Sequence, residues 1–283
     1  MSVKDIERSK KMNFTIKPIE QNTDNWMDYR HGRITGSKAK TLKTDTYTAV
    51  GLKTLENKYA KTPTPELEQQ IKQLKDKQQA YKYTAGIWEL LAEQLTDNTT
   101  NNEDPRERGH RLENTNATLA TIKKQLSNIT LTPGVWEQSD TLLSVSPDAC
   151  ENTDRPTWAI ECKSFNSSNH LKVVIPWLVI TEQLTLPDDI KTRLMFNELE
   201  SARAFDHIPD EYKTQILQYF IVNPYLNTVY FSLYDDRIKA EKLQHCIITV
   251  TRASISNEIE EQTEKLNTIS NIVNTIKSIV EEE

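Results

Sequence analysis

At 283 residues and 36% hydrophobic, the chain holds enough apolar material for one sizeable core, with room for an appended subdomain. Its 41 acidic against 35 basic residues give a formal charge of -6, which counts mildly against a nucleic-acid binder without excluding one. A locally basic face, or a site whose acids are offset by metal ions, remains open. MSVKDIERSKKMNF has no apolar signal core, and no run nears the ~18 apolar residues of a membrane helix, so a soluble intracellular protein is expected. Cys150, Cys162 and Cys246 are odd in number and show no CxxC spacing, which points away from a disulfide framework or a zinc site. The scattered His31, His110, His170, His207 and His245 show no metal-ligand spacing and read as surface or structural residues.

In chain order, residues 14 to 37 form a compact segment in which a helix is predicted to begin near Asn25 and another to follow Thr35-Gly36-Ser37. From about 64 to 95 the pattern is helical: Leu67, Ile71, Leu74, Tyr81 and Trp88 make one stripe opposite Lys, Gln and Glu. Asp97 to Pro105 is a polar loop. A helix starting after Pro105 carries Arg106, Arg108, Arg111 and Glu113, with Leu112, Leu119 and Ile122 for the core. Strands are predicted near 129–136, 141–146 and 157–163. The apolar run 171–180 is broken by Pro176, which suggests an edge strand or a bent piece. Residues 183–210 are charged and without a period. A helix near Pro209–Val222 bears Gln215 and Gln218, and strands follow at 228–234 and 246–251. The tail, about 254–283, is a long helix in which Ile259, Leu266, Val273 and Val280 repeat at seven with Ile269 and Ile276 between. That stripe is expected on the protein's own sheet, a partner interface being the other reading. The order of elements indicates an α/β or α+β core.

Two short signatures carry the chemistry. Glu161 and Lys163 are two apart on the apolar run Trp158-Ala159-Ile160, so on a strand they share one side while Ile160 and Cys162 take the other. Upstream, Leu142-Leu143-Ser144-Val145 leads to Ser146-Pro147-Asp148. If these two strands are neighbours, two carboxylates and a lysine meet at one end of a sheet, where a divalent metal and a water can be held. Glu-x-Lys also occurs at Glu56/Lys58 and Glu211/Lys213, in polar helix-prone surroundings that read as solvated surface.

The ordered set of motifs resembles the lambda exonuclease and YqaJ-type viral recombination nucleases. Trp26…Arg30-His31-Gly32-Arg33-Ile34-Thr35-Gly36-Ser37 is similar to their W-x3-R-x-G-x-I-T-[AG]-S motif, and Gly109-His110-Arg111-Leu112-Glu113-Asn114 to their G-x3-E-N helix. Ser146-Pro147-Asp148 matches S-P-D, with Ala149 where a glycine is usual; Glu161-Cys162-Lys163 matches E-x-K. Gln218-Tyr219 and Tyr234-Asp235-Asp236-Arg237-Ile238-Lys239 resemble the family's glutamine helix and Y-D-x-R-x-K turn. The resemblance implies a PD-(D/E)xK restriction-endonuclease-like core: a mixed central sheet flanked by helices, in a single nuclease domain over 1–283. Relative to shorter relatives, insertions fall at about 52–82 and 180–210.

By the same resemblance, Asp148 and Glu161 would bind Mg²⁺ (Mn²⁺ substituting) with the main-chain carbonyl of Cys162. Glu113 would reach the metal or its waters, and Lys163 would orient or deprotonate the attacking water. Arg30, Ser37 and Ser146 would hold the 5′ phosphate of a DNA end, and Gln218 would support the water or a phosphate. The family spaces its glutamines Q-x-Q; here Gln215 and Gln218 are three apart, so either fits. A second phosphate-gripping arginine has no counterpart in Ser167-Ser168-Asn169-His170, leaving His170 and Lys172 as nearby candidates. Arg30 has the alternative of pairing on its own helix, and Glu113 that of a solvated carboxylate. The implied activity is 5′→3′ degradation of one strand of linear duplex DNA, leaving a 3′ overhang for a single-strand annealing protein. A homotrimeric ring and a phage or prophage origin, acting in the bacterial cytoplasm, complete the expectation. An endonuclease or repair nuclease on the same core, or a non-catalytic DNA-binding module, are the rival readings.

Overall fold

The computed structural model describes residues 19–20, 23–33, 46–84, 86–97, 103–138, 142–193 and 203–281. Its centre is a mixed sheet of five strands among the described residues, in the order β1-β4-β5-β6-β7: β1 Ile129–Leu131, β4 Ala149–Glu151, β5 Trp158–Lys163, β6 Thr228–Tyr234 and β7 His245–Thr251. A separate pair joins β2 Trp136–Glu137 to β3 Ser144–Val145. Only β5 and β6 are parallel, in register from Trp158 against Thr228 to Lys163 against Leu233; the other pairs in the sheet are antiparallel. A parallel pair needs a long crossover, and here the chain between β5 and β6 passes through helices.

Period-two alternation divides the strands between two faces. Trp158, Ile160, Tyr230 and Ile247 face α5 (Pro105–Lys124), whose Ala117 and Ala120 let helix and sheet approach closely. Asn116, fully buried on α5, donates to the Ser232 carbonyl at 3.0 Å and accepts from the Ser232 hydroxyl at 2.6 Å, which fixes the helix over β6. Ala159, Val229, Phe231, Leu233 and Ile248 face the larger core, with α6 (Ser167–Ile180) and α8 (Asp210–Val222).

The predicted helix over 64–95 is broken in two, α3 (Pro65–Thr84) and α4 (Ile87–Leu95), around Gly86 at φ 71°, a left-handed conformation that glycine accepts without strain. The 52–82 segment lies in α3 and the preceding α2 (Thr46–Lys61), which pack on each other. The 180–210 segment holds α7 (Asp188–Arg193) and a 3₁₀ turn, Ala204–His207, whose Phe205 enters the core.

Run 171–180 is not an edge strand; it belongs to helix α6, with Pro176 inside. His170, Leu171, Val174, Ile175 and Leu178 are buried at helical spacing, and Asn166 caps the start by accepting from the Asn169 amide at 2.9 Å. Burial on that stripe offsets the backbone bond that Pro176 forgoes.

The final helix, α10 (Ser256–Glu281), only partly follows expectation. Ile259 and Leu266 pack on the core beside α8, whereas Ile269, Ile272, Val273, Ile276, Ile279 and Val280 stay exposed.

Candidate active site

Asp148 is fixed by backbone pairing immediately before β4. Its amide donates to the Ile160 carbonyl at 3.2 Å, and its carbonyl accepts from the Thr132 amide at 2.8 Å. The neighbour of β5 is therefore the short β4, which the sequence pattern did not reveal, and not the 142–145 run, which pairs with β2. The side chain completes the junction: Asp148 Oδ2 accepts from the Cys162 amide at 2.6 Å. Asp148 thus grips the backbone between Glu161 and Lys163.

Glu161 is 2% exposed, and donors surround its carboxylate. Lys163 Nζ pairs with Oε1, as expected for two side chains on one side of a strand. Gln215 Nε2 donates to the same oxygen at 2.7 Å, and the Tyr219 hydroxyl meets Oε2. Tyr212, one turn before Gln215, sets its ring 5.0 Å from Lys163 Nζ. Tyr212, Gln215 and Tyr219 are spaced i, i+3, i+7, so one face of α8 is laid along the Glu-x-Lys strand. Gln215 is therefore the glutamine at the carboxylates. Gln218 corrects the expectation: turned off that face, it donates instead to the Ser144 carbonyl at 2.9 Å. Tyr212 and Tyr219 went unread as site residues; their spacing from Gln215 was the available signal.

Burial first, then the Glu161 charge, pushes the Asp148 carboxyl from 3.8 up to about 7, and Glu113 on α5 adds to the rise. Burial works against the Lys163 ammonium, but the charge and hydrogen bond of Glu161 outweigh it and hold that lysine above its usual value. Lys163 is thus a charged donor near neutral pH, suited to orienting a water or a phosphate oxygen. Burial drives the Tyr219 phenol and the Cys162 thiol far up, so both stay neutral. Cys162 has only its main-chain carbonyl to offer a hard cation.

The acids outnumber the local cation. Among the described residues, Asp148 and Glu161, with Glu113 close enough to act on Asp148, face the ammonium of Lys163. No cage of three His, Cys, Asp or Glu side chains occurs among the described residues. Mg²⁺ keeps several waters and is commonly held by one or two carboxylates, so this oxygen-rich, under-neutralised pair fits it.

Of the three residues expected to hold a phosphate, two are described. Arg30, at the end of α1 (Asp24–Arg30), lays its guanidinium 4.1 Å from the Trp26 ring centre. The turn after it docks on α4, where the Gly32 amide donates to Glu93 at 2.9 Å. Ser37 lies outside the described residues. The Ser146 hydroxyl donates to the Gly134 carbonyl at 3.1 Å, and its own carbonyl accepts from Tyr219 at 3.0 Å, so Ser146 braces the site in this arrangement. His170 is excluded as a phosphate ligand: it is fully buried, its Nε2 faces the Leu243 carbonyl at 2.8 Å, and burial lowers its pKa. Lys172 lines an open cavity of about 530 Å³ with Phe165, Asn169 and Glu211, beyond the Phe165–Tyr212 stack that borders Lys163.

No protein-family model matches the sequence, and no curated protein matches it. Among solved structures the chain is similar to an alkaline exonuclease, LHK-Exo, from Laribacter hongkongensis: 15% identity over 92% of this chain and 99% of that one, at a TM-score of 0.37. A second structure, LHK-Exo in complex with dAMP, gives 16% identity over 91% and 100%, at 0.34. The superpositions are too loose to carry residue roles, so those rest on the geometry above.

Proposed function

We propose that the protein is a Mg²⁺-dependent deoxyribonuclease that hydrolyses one strand of linear duplex DNA from its end. The supporting observation is the convergence of Asp148, Glu161 and Lys163 at the β4–β5 junction, with Gln215 and Tyr219 holding Glu161 in place. Asp148, Glu161 and the Cys162 carbonyl would hold Mg²⁺ or Mn²⁺, with Glu113 reaching the ion or its waters. A bound dication neutralises charge on a scissile phosphate and lowers the pKa of a coordinated water. Lys163 donates to the attacking water or a phosphate oxygen. Gln215 and Tyr219 limit the freedom of Glu161, which holds the site in a reactive arrangement before substrate arrives. Arg30 offers the two-pronged donor geometry that a terminal phosphate favours. Polarity 5′→3′, a 3′ overhang passed to an annealing protein, and a ring-shaped homotrimer belong to the same reading. A ring fits the net charge of -6 by gathering lysines and arginines in its channel.

Digestion of linear duplex labelled separately at each 5′ and 3′ end, with and without Mg²⁺, tests the proposal. Mg²⁺-dependent release of 5′ label ahead of 3′ label, with covalently closed circles untouched, is expected. Nicking of closed circles would replace it with the endonuclease reading. No cleavage with Mg²⁺, with DNA still bound, would leave a binding module.

A further inference from the structure

Just beyond the end of the Glu-x-Lys strand sits a partly buried ionic cluster that the proposed reaction does not use. Asp235, fully buried at the end of β6, accepts from Arg108 of α5 at 2.7 Å and from Arg237 Nε at 2.9 Å. Arg108 also pairs with Asp236 at 2.8 Å. Both guanidinium groups reach one more acceptor, the carbonyl of Phe165, at 3.2 Å from Arg108 and 2.9 Å from Arg237. The three-residue link from Lys163 to α6 is therefore held at its middle by two cations that share the Asp235 anion. The Phe165 ring stacks on Tyr212, 5.5 Å between centres, and Tyr212 in turn borders the Lys163 ammonium.

A buried ion cluster contributes little net stability compared with packed apolar side chains of similar volume, and its better-attested use is to fix one arrangement. The Arg108 side chain is only 6% exposed, and its buried Nε finds no hydrogen-bond partner. A device for stability alone would leave less unsatisfied. The rigid planar fork of arginine spans a carboxylate and a carbonyl in one fixed geometry, which the rotatable donors of an ammonium do not impose.

We infer that Arg108 and Arg237 are positioning residues for Lys163: with Asp235 they clamp the Phe165 carbonyl and set the point at which β5 ends. The inference rests on the nuclease reading. Neither arginine touches the reacting groups, so the clamp acts through the backbone of residues 164–166.

Two conservative variants, Arg237→Lys and Arg108→Lys, test it, with Arg111→Gln as a control. Arg111 pairs with Asp236 and Glu103 at the exposed edge of the cluster and has no hydrogen bond to Phe165. Each protein is assayed for kcat and KM on linear duplex and for backbone hydrogen exchange in a peptide spanning 158–170. Arg237, with a side chain 26% exposed, is the variant expected to fold if Arg108→Lys does not. Expected are faster exchange confined to that peptide and a roughly 10- to 100-fold fall in kcat, the size of effect that small misplacements cause, with KM held. The control should match the wild type in both. An unchanged kcat with faster exchange would reduce the clamp to structure, and unchanged exchange would show that it holds nothing. An equal loss in the control would assign the effect to general electrostatics; each of these overturns the inference. A wild type that does not cut would instead sink the nuclease reading, and the positioning role with it.

Discussion

The raised Asp148 carboxyl makes a prediction that does not depend on seeing DNA cut. Burial and the Glu161 charge lift it from 3.8 to about 7 in the metal-free fold. At about 1.36 kcal/mol per pH unit, that distance corresponds to about 4 kcal/mol of unfavourable charge once Asp148 ionises. The folded chain binds this proton more tightly than the unfolded chain does. Stability therefore falls as pH rises between about 4 and 7, and the full cost is present at pH 8. Asp148→Asn removes the charge and keeps an acceptor for the Cys162 amide. At about 2–4 °C per kcal/mol for a chain of this size, and with part of the relief shared by the coupled Glu161, Tm at pH 8 should rise by roughly 5 to 10 °C in EDTA. Two further signs should appear in scanning calorimetry between pH 5 and 8. The fall in wild-type Tm with pH should flatten in the variant, and Mg²⁺ should raise Tm at pH 8 for the wild type alone. A variant that melts at or below the wild type at pH 8 would refute the crowding of acids on which the metal site rests. A stabilising effect of Mg²⁺ equal in both proteins would remove Asp148 from the ligand set.

Lys163→Gln should abolish Mg²⁺-dependent cleavage, and turnover near wild type would remove Lys163 from the reaction. Gln215→Ala should cost about tenfold or more in kcat, because the Glu161 oxygen loses a donor at 2.7 Å; Gln218→Ala should cost far less, and the reverse order would restore the original assignment. Tyr219→Phe leaves the Ser146 carbonyl and Glu161 short of their shared hydroxyl, so Tm should fall by an amount matching roughly 1–3 kcal/mol, and an unchanged Tm would show the pair to be satisfied without it. Arg30→Ala should reduce cleavage of 5′-phosphorylated ends more than of 5′-hydroxyl ends, whereas equal losses would make Arg30 purely structural.

What the sequence revealed and what it hid divide along a physical line. Glu161 and Lys163 were legible because strand geometry alone puts residues two apart on one side, and the apolar run ending at Lys163 needed no partner to be recognised. Strand 228–234 was legible for the same reason, and the structure gives it the same limits. Strand β4 was hidden because Ala149-Cys150-Glu151 is too short to show alternation; what makes it a strand is pairing with β1 on one side and β5 on the other. Helix α6 was misread because proline is a local signal, whereas the burial that overrides it is tertiary. The choice between Gln215 and Gln218 turned on the rotation of α8, set by packing of Ile216, Leu217 and Phe220 and not by any glutamine spacing. The Arg108–Asp235–Arg237 cluster joins a helix to a turn more than a hundred positions away, so the sequence marks Asp235 and Arg237 as a family-like turn but does not show that Arg108 pairs with them. Local geometry thus placed the acid and the lysine that would do the chemistry. The groups that hold them there are contributed by α5, α8 and the end of β6, and only the folded sheet identifies them.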